Sequence, residues 1–152
     1  MGTAAQIVPR TNQQWVQTGL AAIPGLGLQL GYVSPRSFYT VEGVVSADAT
    51  PSFSGGEGSL QVSLGLGGAL RPLGVMQVLG NTRQTAYDVH LGLRLGPSLF
   101  FSYGESSRTE NPFSLYLEPY VRLTSRLPSR RTVYAELGLQ RPVLRGGIWL
   151  NL

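Results

Sequence analysis

The feature that most constrains this chain is the stretch TAYDVHLGLRLG, residues 85–96, in which every second residue is apolar. Successive side chains of a β-strand point to opposite faces, so such a strand has one apolar and one polar face. One face carries Tyr87, Val89, Leu91, Leu93 and Leu95, and the other carries Ala86, Asp88, His90, Gly92, Arg94 and Gly96. At ~3.3 Å per residue and a tilt of ~40°, a strand of this length rises ~30 Å, more than the ~25 Å apolar band of a barrel in lipid. The stretch therefore predicts a membrane-spanning strand.

The composition fits a chain that does not face water over much of its surface. Charged residues make up 13% of the 152 residues, against ~25% in ordinary soluble domains. No segment approaches the ~18 consecutive apolar residues of a membrane helix. A closed barrel is the other structure that satisfies its own backbone hydrogen bonds in lipid. The 20 glycines and 10 prolines, which recur at frequent turns, also favour many short strands.

Alternation of the same kind divides the chain into candidate strands at 12–22, 26–33, 38–48, 59–70, 73–79, 85–96, 99–104, 113–123, 132–140 and 147–152. Segment 73–79 hardly alternates and fits a strand or a loop, although the direction of the chain favours a strand. Pro97 and Ser98 predict a tight turn, and Pro119, which cannot donate to a ladder, predicts a nearby bulge. The strand count falls from ten to eight if 73–79 and 12–22 are not separate spans.

These segments predict an all-β fold, a closed antiparallel up-and-down transmembrane β-barrel of 8 to 10 strands. The barrel domain comprises residues 12–152, and it follows an N-terminal tail, residues 1–11, that shows no period. A chain of 152 residues is long enough for one such domain and too short for a second one of similar size.

Charged residues of the predicted strands share their face with Gly, Ser and Gln, and none shares it with Leu. A soluble barrel with the leucines inside would show the same alternation and is the main competing fold. Its outer face would then be small and weakly charged, which suits a crowded lumen better than a surface in water. We therefore predict a lumen polar network of Glu42, Asp88, His90, Arg94, Glu118, Arg122 and Glu136. The corresponding lipid-facing set contains Leu28, Leu30, Leu64, Leu91, Leu93, Leu115, Leu117 and Leu137.

Aromatic residues lie near the predicted strand ends, as in the girdles at two membrane interfaces; they are Tyr32, Tyr39, Tyr87, Phe101, Tyr103 and Phe113. With this pattern over residues 14–152, the chain resembles the small bacterial outer-membrane β-barrel proteins. The resemblance implies a location in the outer membrane of the Gram-negative cell envelope. In that class the last strand commonly ends in an aromatic residue, whereas this chain ends GIWLNL, with Trp149 present and Leu152 in the final place.

The titratable residues Asp88, His90 and Arg94 share one face of one strand and have two interpretations. They form an acid/base site or a selective channel, or they belong to a charge network that fills the lumen. We favour the network, because buried charges must be paired. A single histidine excludes a two-histidine metal site, and no catalytic residue, metal or cofactor is predicted.

All twelve basic residues are Arg, a side chain that binds phosphate bidentately. The functional interpretation is contact with lipid headgroups or lipopolysaccharide, and the alternative is ordinary solvation of turns. Nucleic acid is not an expected partner, because the arginines are scattered over many turns and only Arg130 and Arg131 are adjacent.

The function favoured by these features is that of a non-enzymatic outer-membrane barrel, structural or an accessory subunit of an envelope assembly. Its expected partners are membrane lipid, with lipopolysaccharide as a candidate, and proteins of an envelope complex. The alternatives are a lipid-modifying barrel enzyme or a small-solute pore that uses lumen groups, and a soluble ligand-binding β-barrel. A blocked lumen supports the first function, whereas a water path past His90 supports a pore or an enzyme.

Overall fold

The structure is a computed structural model that describes residues 14–22, 25–51, 58–80, 86–103, 112–127, 131–139 and 143–151. The strands are β1 (Trp15–Ala22), β2 (Leu26–Pro35), β3 (Tyr39–Thr50), β4 (Gly58–Leu70), β5 (Tyr87–Tyr103), β6 (Phe113–Arg126), β7 (Thr132–Gly138) and β8 (Leu144–Asn151), and the helix α1 is Pro72–Val78. Each strand pairs antiparallel with the next, and β8 pairs with β1, so the sheet closes into a barrel. The predicted fold, a closed up-and-down barrel, is confirmed with eight described strands.

The up-and-down order places the connections at two ends of the barrel. The terminal end contains the start of β1 and the end of β8, together with the connections β2–β3, β4–α1–β5 and β6–β7. The loop end contains the connections β1–β2, β3–β4, β5–β6 and β7–β8. The helix α1 therefore lies at the same end of the barrel as the start of β1 and the end of β8. The predicted tail, residues 1–11, lies outside the described residues.

The predicted turn at Pro97 and Ser98 is wrong, because β5 continues through both residues. Towards β6 the pairing is unbroken, with Pro97 opposite Leu115. The pairing of β5 with β4 is interrupted for two positions beside Pro97. It stops after Ser98 opposite Ser63 and resumes, in the same register, with Leu95 opposite Leu66. A proline has no backbone N–H, so it costs ladder bonds to one neighbour and does not reverse the chain.

The predicted bulge near Pro119 is also wrong. The register of β5 with β6 runs without interruption and places Pro119 opposite Leu93. The carbonyl of Pro119 accepts a hydrogen bond from the N–H of Leu139, so this residue directs its backbone groups towards β7. Because the N–H and C=O of one strand residue point to the same neighbouring strand, the missing donor does not affect the ladder with β5.

The predicted strand 73–79 is wrong and is the short helix α1. Pro72 occupies its first turn, where a missing N–H costs nothing and the fixed φ angle suits a helix. Gly74 is buried against the carbonyl of Ser37, so the helix packs on the β2–β3 turn. The count of eight thus arises because 73–79 is helical and because 85–96 and 99–104 are one strand, whereas the first predicted segment, 12–22, does contain a separate strand.

The outer surface of the barrel is apolar. By alternation, no outward-facing position of the eight strands holds Asp, Glu, Arg or His. All eight leucines of the predicted lipid-facing set are exposed, with exposed fractions that run from 46% for Leu64 to 72% for Leu115. The buried interior is mainly polar, so the described residues have the reverse of the distribution in a soluble domain. Among the described residues, the only helix is too short to cross a membrane.

Candidate functional site

The lumen is centred on Arg94, which projects inward from β5 and is 1% exposed. Its Nη1 and Nη2 donate to the two carboxylate oxygens of Glu136 on β7, at 2.6 and 2.7 Å. Its Nε donates to Oε1 of Glu42 on β3 at 2.5 Å. Arg94 therefore joins strands that are not neighbours in the sheet, and it does so through the middle of the barrel.

A second arginine, Arg122 on β6, binds the same two carboxylates from the other side. Its Nη1 lies 2.8 Å from Oε2 of Glu42, and its Nη2 lies 2.6 Å from Oε2 of Glu136. Burial removes the solvation of a charge, and close opposite charges with hydrogen bonds are what make such burial tolerable. Glu42 and Glu136 are each bound by both Arg94 and Arg122, so the four side chains form one connected unit.

The unit extends to a third arginine, Arg145 on β8. Its Nη2 lies 2.6 Å from Oε1 of Glu118, and its Nη1 donates to Oε1 of Glu136 at 3.1 Å. We call the six residues Glu42, Arg94, Glu118, Arg122, Glu136 and Arg145 the central cluster. It contains three arginines and three glutamates, so its net charge is zero when all six are ionised.

Aromatic rings complete the filling of the lumen around the central cluster. The ring of Tyr120 stacks on both arginines, with its centroid 4.1 Å from Cζ of Arg94 and 4.9 Å from Cζ of Arg122. Such cation–π contacts are strongest where water is excluded. Gly92 leaves the space that the ring occupies, since a Cβ there would overlap Tyr120. The lumen is therefore packed with side chains at this level.

A smaller polar group, which we call the terminal cluster, consists of Arg71, Asp88 and His90 near the terminal end. Arg71 precedes α1 and places its Nε 2.5 Å from Oδ2 of Asp88, and its Nη1 donates to the carbonyl oxygens of Arg36 and Ser37. His90 Nε2 lies 3.7 Å from the same Oδ2. The terminal cluster therefore connects α1, the β2–β3 turn and the barrel wall.

His90 does not have the surroundings of a catalytic base. Its two ring nitrogens lie 3.3 Å from the hydroxyl of Thr40 and 3.2 Å from that of Thr124. Asp88 approaches the same nitrogen as Thr124, so the three groups do not line up as an acid, a base and a nucleophile. Its side chain is 1% exposed and faces the lumen, away from any lipid substrate.

Two of the cavities among the described lumen residues are small. One, of about 40 Å³, lies beside the terminal cluster and is lined by His90, Trp15 and Trp149 among others. The other, of about 10 Å³, touches Arg94 from the side of the loop end. A water molecule needs ~10 to 15 Å³, so these cavities hold a few waters at most. Neither is lined by Glu42, Arg122 or Glu136, the buried middle of the central cluster.

The structure places all seven residues of the predicted lumen network inside the barrel and divides them between two groups. Glu42, Arg94, Glu118, Arg122 and Glu136 belong to the central cluster, whereas Asp88 and His90 belong to the terminal cluster. No group of three potential metal ligands occurs among the described residues.

Two buried arginines, Arg71 and Arg145, lie outside the lumen network that the sequence predicts. Arg145 was left out because the last strand was predicted to begin at residue 147, whereas β8 begins at Leu144. Arg145 alternates in step with Gly147 and Trp149, so extending the predicted strand by three residues would have placed it on the same, lumen-facing side. Arg71 was assigned to a turn, and no local pattern shows that a residue preceding a helix reaches into the barrel.

Comparison with known proteins gives one weak structural similarity to report. No protein-family model matches the chain. No curated protein matches it either. Among solved structures, the crystal structure of the outer membrane enzyme PagL matches with a TM-score of 0.45 and 11% sequence identity, covering 92% of this chain and 97% of that one. A match at this level carries no information about activity.

Proposed function

We propose that this protein is an outer-membrane β-barrel of a Gram-negative cell envelope with a closed lumen and a non-enzymatic role, as a structural protein or an accessory subunit of an envelope assembly. The single observation that carries this proposal is the combination of an apolar, charge-free outer wall with a lumen filled by paired charges. A soluble ligand-binding barrel has the opposite arrangement, with polar residues outside and an apolar pocket inside.

The outer wall supports a lipid environment on energetic grounds. Leu28, Leu66 and Leu115 are exposed by 66, 67 and 72%, and each lies among other exposed apolar side chains. Exposed apolar area costs ~25 cal/mol per Å² in water, and soluble monomers rarely expose patches above a few hundred Å². In lipid this cost disappears, and the same residues become the stabilising surface.

Exposed aromatic residues mark both ends of the apolar wall. Phe38, Tyr39 and Tyr87 lie at the terminal end, and Phe101, Tyr103 and Phe113 lie at the loop end. Amphipathic rings favour the boundary between headgroups and acyl chains. Two such belts, separated by the lengths of the strands, support a spanning orientation of the barrel.

The filled lumen supports a non-conducting, non-enzymatic role. A pore would need a water path along the barrel, but Arg94 and Arg122 are 1% and 0% exposed and are bound on several sides. An enzyme acting on membrane lipid would need catalytic polar groups on the outer wall, where the described strands carry no Asp, Glu, His or Arg. The paired charges fill the lumen and instead connect the strands to one another.

The experiment is refolding of the purified chain into phospholipid vesicles that contain lipid A, followed by insertion into a planar bilayer. Folding is read from a heat-dependent shift in gel mobility, and conductance is read with a porin as the positive control. We expect a folded, detergent-dependent barrel with no discrete conductance steps and no release of fatty acid from lipid A. Steady channels or hydrolysis of lipid A would overturn the non-enzymatic closed barrel, and a folded monodisperse sample in plain buffer would overturn the membrane location.

A further inference from the structure

The cavity beside the terminal cluster, of about 40 Å³, lies at the terminal mouth of the lumen. Its wall includes Trp15 at the start of β1, Arg126 at the end of β6 and Thr132 at the start of β7. Deeper in the barrel, the lumen is filled by the central cluster. A ligand of this cavity therefore enters from the terminal end and does not pass through the barrel.

Trp15 brings an unsatisfied hydrogen-bond donor to the wall of this cavity. Both tryptophans of the chain line the cavity, but their indole N–H groups differ. That of Trp149 donates to Oε1 of Gln17 at 3.0 Å, whereas that of Trp15, which is 4% exposed, has no hydrogen-bond partner among the described residues. A buried donor without an acceptor is destabilising. A hydrogen-bond acceptor in the cavity would satisfy this group.

The wall of the cavity carries more positive than negative charge. Among the described residues that line it, Arg71 and Arg126 stand against a single carboxylate, that of Asp88. Both oxygens of Asp88 are already engaged, Oδ2 by Arg71 at 2.5 Å and Oδ1 by the backbone N–H of Val89 at 3.0 Å. His90 adds no negative charge in either protonation state. Because charge removed from bulk water is stabilised by a counter-charge, an acceptor that is also an anion fits this wall better than a neutral one.

The donor groups converge because the strands that carry them are neighbours. Arg126 is opposite Thr132 in the ladder of β6 with β7, and Thr132 is opposite Trp149 in the ladder of β7 with β8. Directly opposite side chains share one face of the sheet, with Cβ atoms ~4.5 to 5.5 Å apart. Trp15 lies on the next strand, β1, and lines the same cavity. An indole N–H, a guanidinium and a threonine hydroxyl are thus presented to one small space.

We propose that this cavity binds a small inorganic anion such as chloride, held by the indole N–H of Trp15, the guanidinium of Arg126 and the hydroxyl of Thr132. The inference goes beyond the proposed function, which assigns no ligand to the lumen. It does not require Arg126 to lack other contacts, because a guanidinium has several N–H donors and binds more than one acceptor. A cavity with space for a few waters admits a halide ion and is too small for a lipid headgroup.

The test is iodide titration of the folded, full-length protein in a zwitterionic detergent, with the ionic strength held constant by gluconate, which is too large for the cavity. Iodide quenches indole fluorescence on contact. Since both tryptophans of the chain line the cavity, the intrinsic fluorescence reports on this site. We expect the quenching to saturate, and chloride to reverse it competitively. Chloride should also raise the unfolding temperature of the wild type, because it binds the folded state.

Three variants connect the quenching to the proposed ligands. Arg126→Gln removes a charge-assisted hydrogen bond, so we expect the apparent affinity for iodide to fall ~10-fold or more. Trp15→Phe keeps a ring and leaves Trp149 as the reporter, and it should weaken binding ~3-fold or more through loss of a neutral donor. Arg131→Gln is the matched control: it removes the same charge from an exposed position at the same end. Screening in water should keep its effect within ~2-fold.

Three results would overturn the anion site. Quenching that rises linearly with iodide, with equal slopes in the wild type and Arg126→Gln, shows collisional contact only. Equal losses in Arg126→Gln and Arg131→Gln reduce the effect to the general charge of this end. Stronger competition by sulfate than by chloride overturns the assignment to a small anion. If Arg126→Gln folds poorly, the isosteric variant Thr132→Val replaces it, with weaker iodide binding as the expected result and unchanged binding as the contradicting one.

Discussion

Arg94 and Glu136 meet in the middle of the barrel, with two parallel hydrogen bonds of 2.6 and 2.7 Å between the guanidinium and carboxylate groups. They come from β5 and β7, which are not hydrogen-bonded to each other, so the ion pair connects two non-adjacent strands through the lumen. Because both groups are buried, loss of either one leaves the central cluster with an unbalanced charge.

Replacement of Arg94 tests how much this ion pair stabilises the barrel. Arg94→Met keeps an extended side chain but leaves Glu42 and Glu136 with fewer partners, and we expect it to reduce the free energy of unfolding by ~3 kcal/mol or more. Urea titration of the barrel in vesicles measures the change. The double variant Arg94→Met/Glu136→Gln should lose less than the sum of the two single changes, since together the two changes restore the charge balance of the central cluster. Strictly additive losses would contradict direct coupling.

The assignment of faces in β5 is tested by two adjacent residues. Leu91 is 49% exposed on the outer wall, whereas His90 is 1% exposed in the lumen. A lipid-facing Arg near the bilayer midplane costs ~2 to 4 kcal/mol, so Leu91→Arg should reduce the yield of folding into vesicles. His90→Gln should fold, because an amide can replace its bonds to the threonine hydroxyls, and Leu91→Ala serves as the size control. Equal tolerance of Leu91→Arg and His90→Gln would contradict the spanning strand.

Arg71 gives a local prediction for the terminal end. Arg71→Gln removes the ion pair with Asp88, so we expect α1 and the β2–β3 turn to loosen while the strands stay closed. Hydrogen exchange should then be at least ~10-fold faster for the amides of α1, with the amides of β5 and β6 unchanged, as expected for local opening. Arg131→Gln is the control at the same end. Uniform acceleration along the whole chain would show that Arg71 stabilises the barrel globally.

Two glycines provide a matched test of lumen packing. A Cβ at Gly92 would overlap the ring of Tyr120, whereas a Cβ at Gly43, on the outer wall, would meet only Leu66 Cδ2 at 3.4 Å. Gly92→Ala should therefore cost ~1 to 3 kcal/mol through overpacking. Gly43→Ala should be neutral or slightly stabilising, because it lowers the entropy of the unfolded chain. The measurement is the free energy of unfolding of each variant in the same vesicles. A larger loss of stability for Gly43→Ala than for Gly92→Ala would contradict the packed lumen.

The alternation of apolar and polar residues, with a period of two, provided most of the correct predictions about the fold and the lumen. Alternation is local, so it assigns Leu91 and His90 to opposite faces without any knowledge of their neighbours. The same rule identified seven residues that the structure places in the lumen. It failed where the local pattern is broken: Pro97 looks like a turn and lies within a strand, and VMQVL looks irregular and is helical.

The sequence by itself determined an all-β barrel with its charges on one face, because side-chain parity and chain composition are properties of short segments. Only the tertiary structure decided which charges meet. Glu42 and Arg94 are separated by 52 residues and Arg94 and Glu136 by 42, and their pairing depends on the register of every strand between them and on closure by β8. The pairing of β7 with β8 places Arg145 opposite Glu136, and the packing of α1 at the end of the barrel places Arg71 on Asp88. Distances across a lumen are set by the whole ring of strands, and no single segment carries that information.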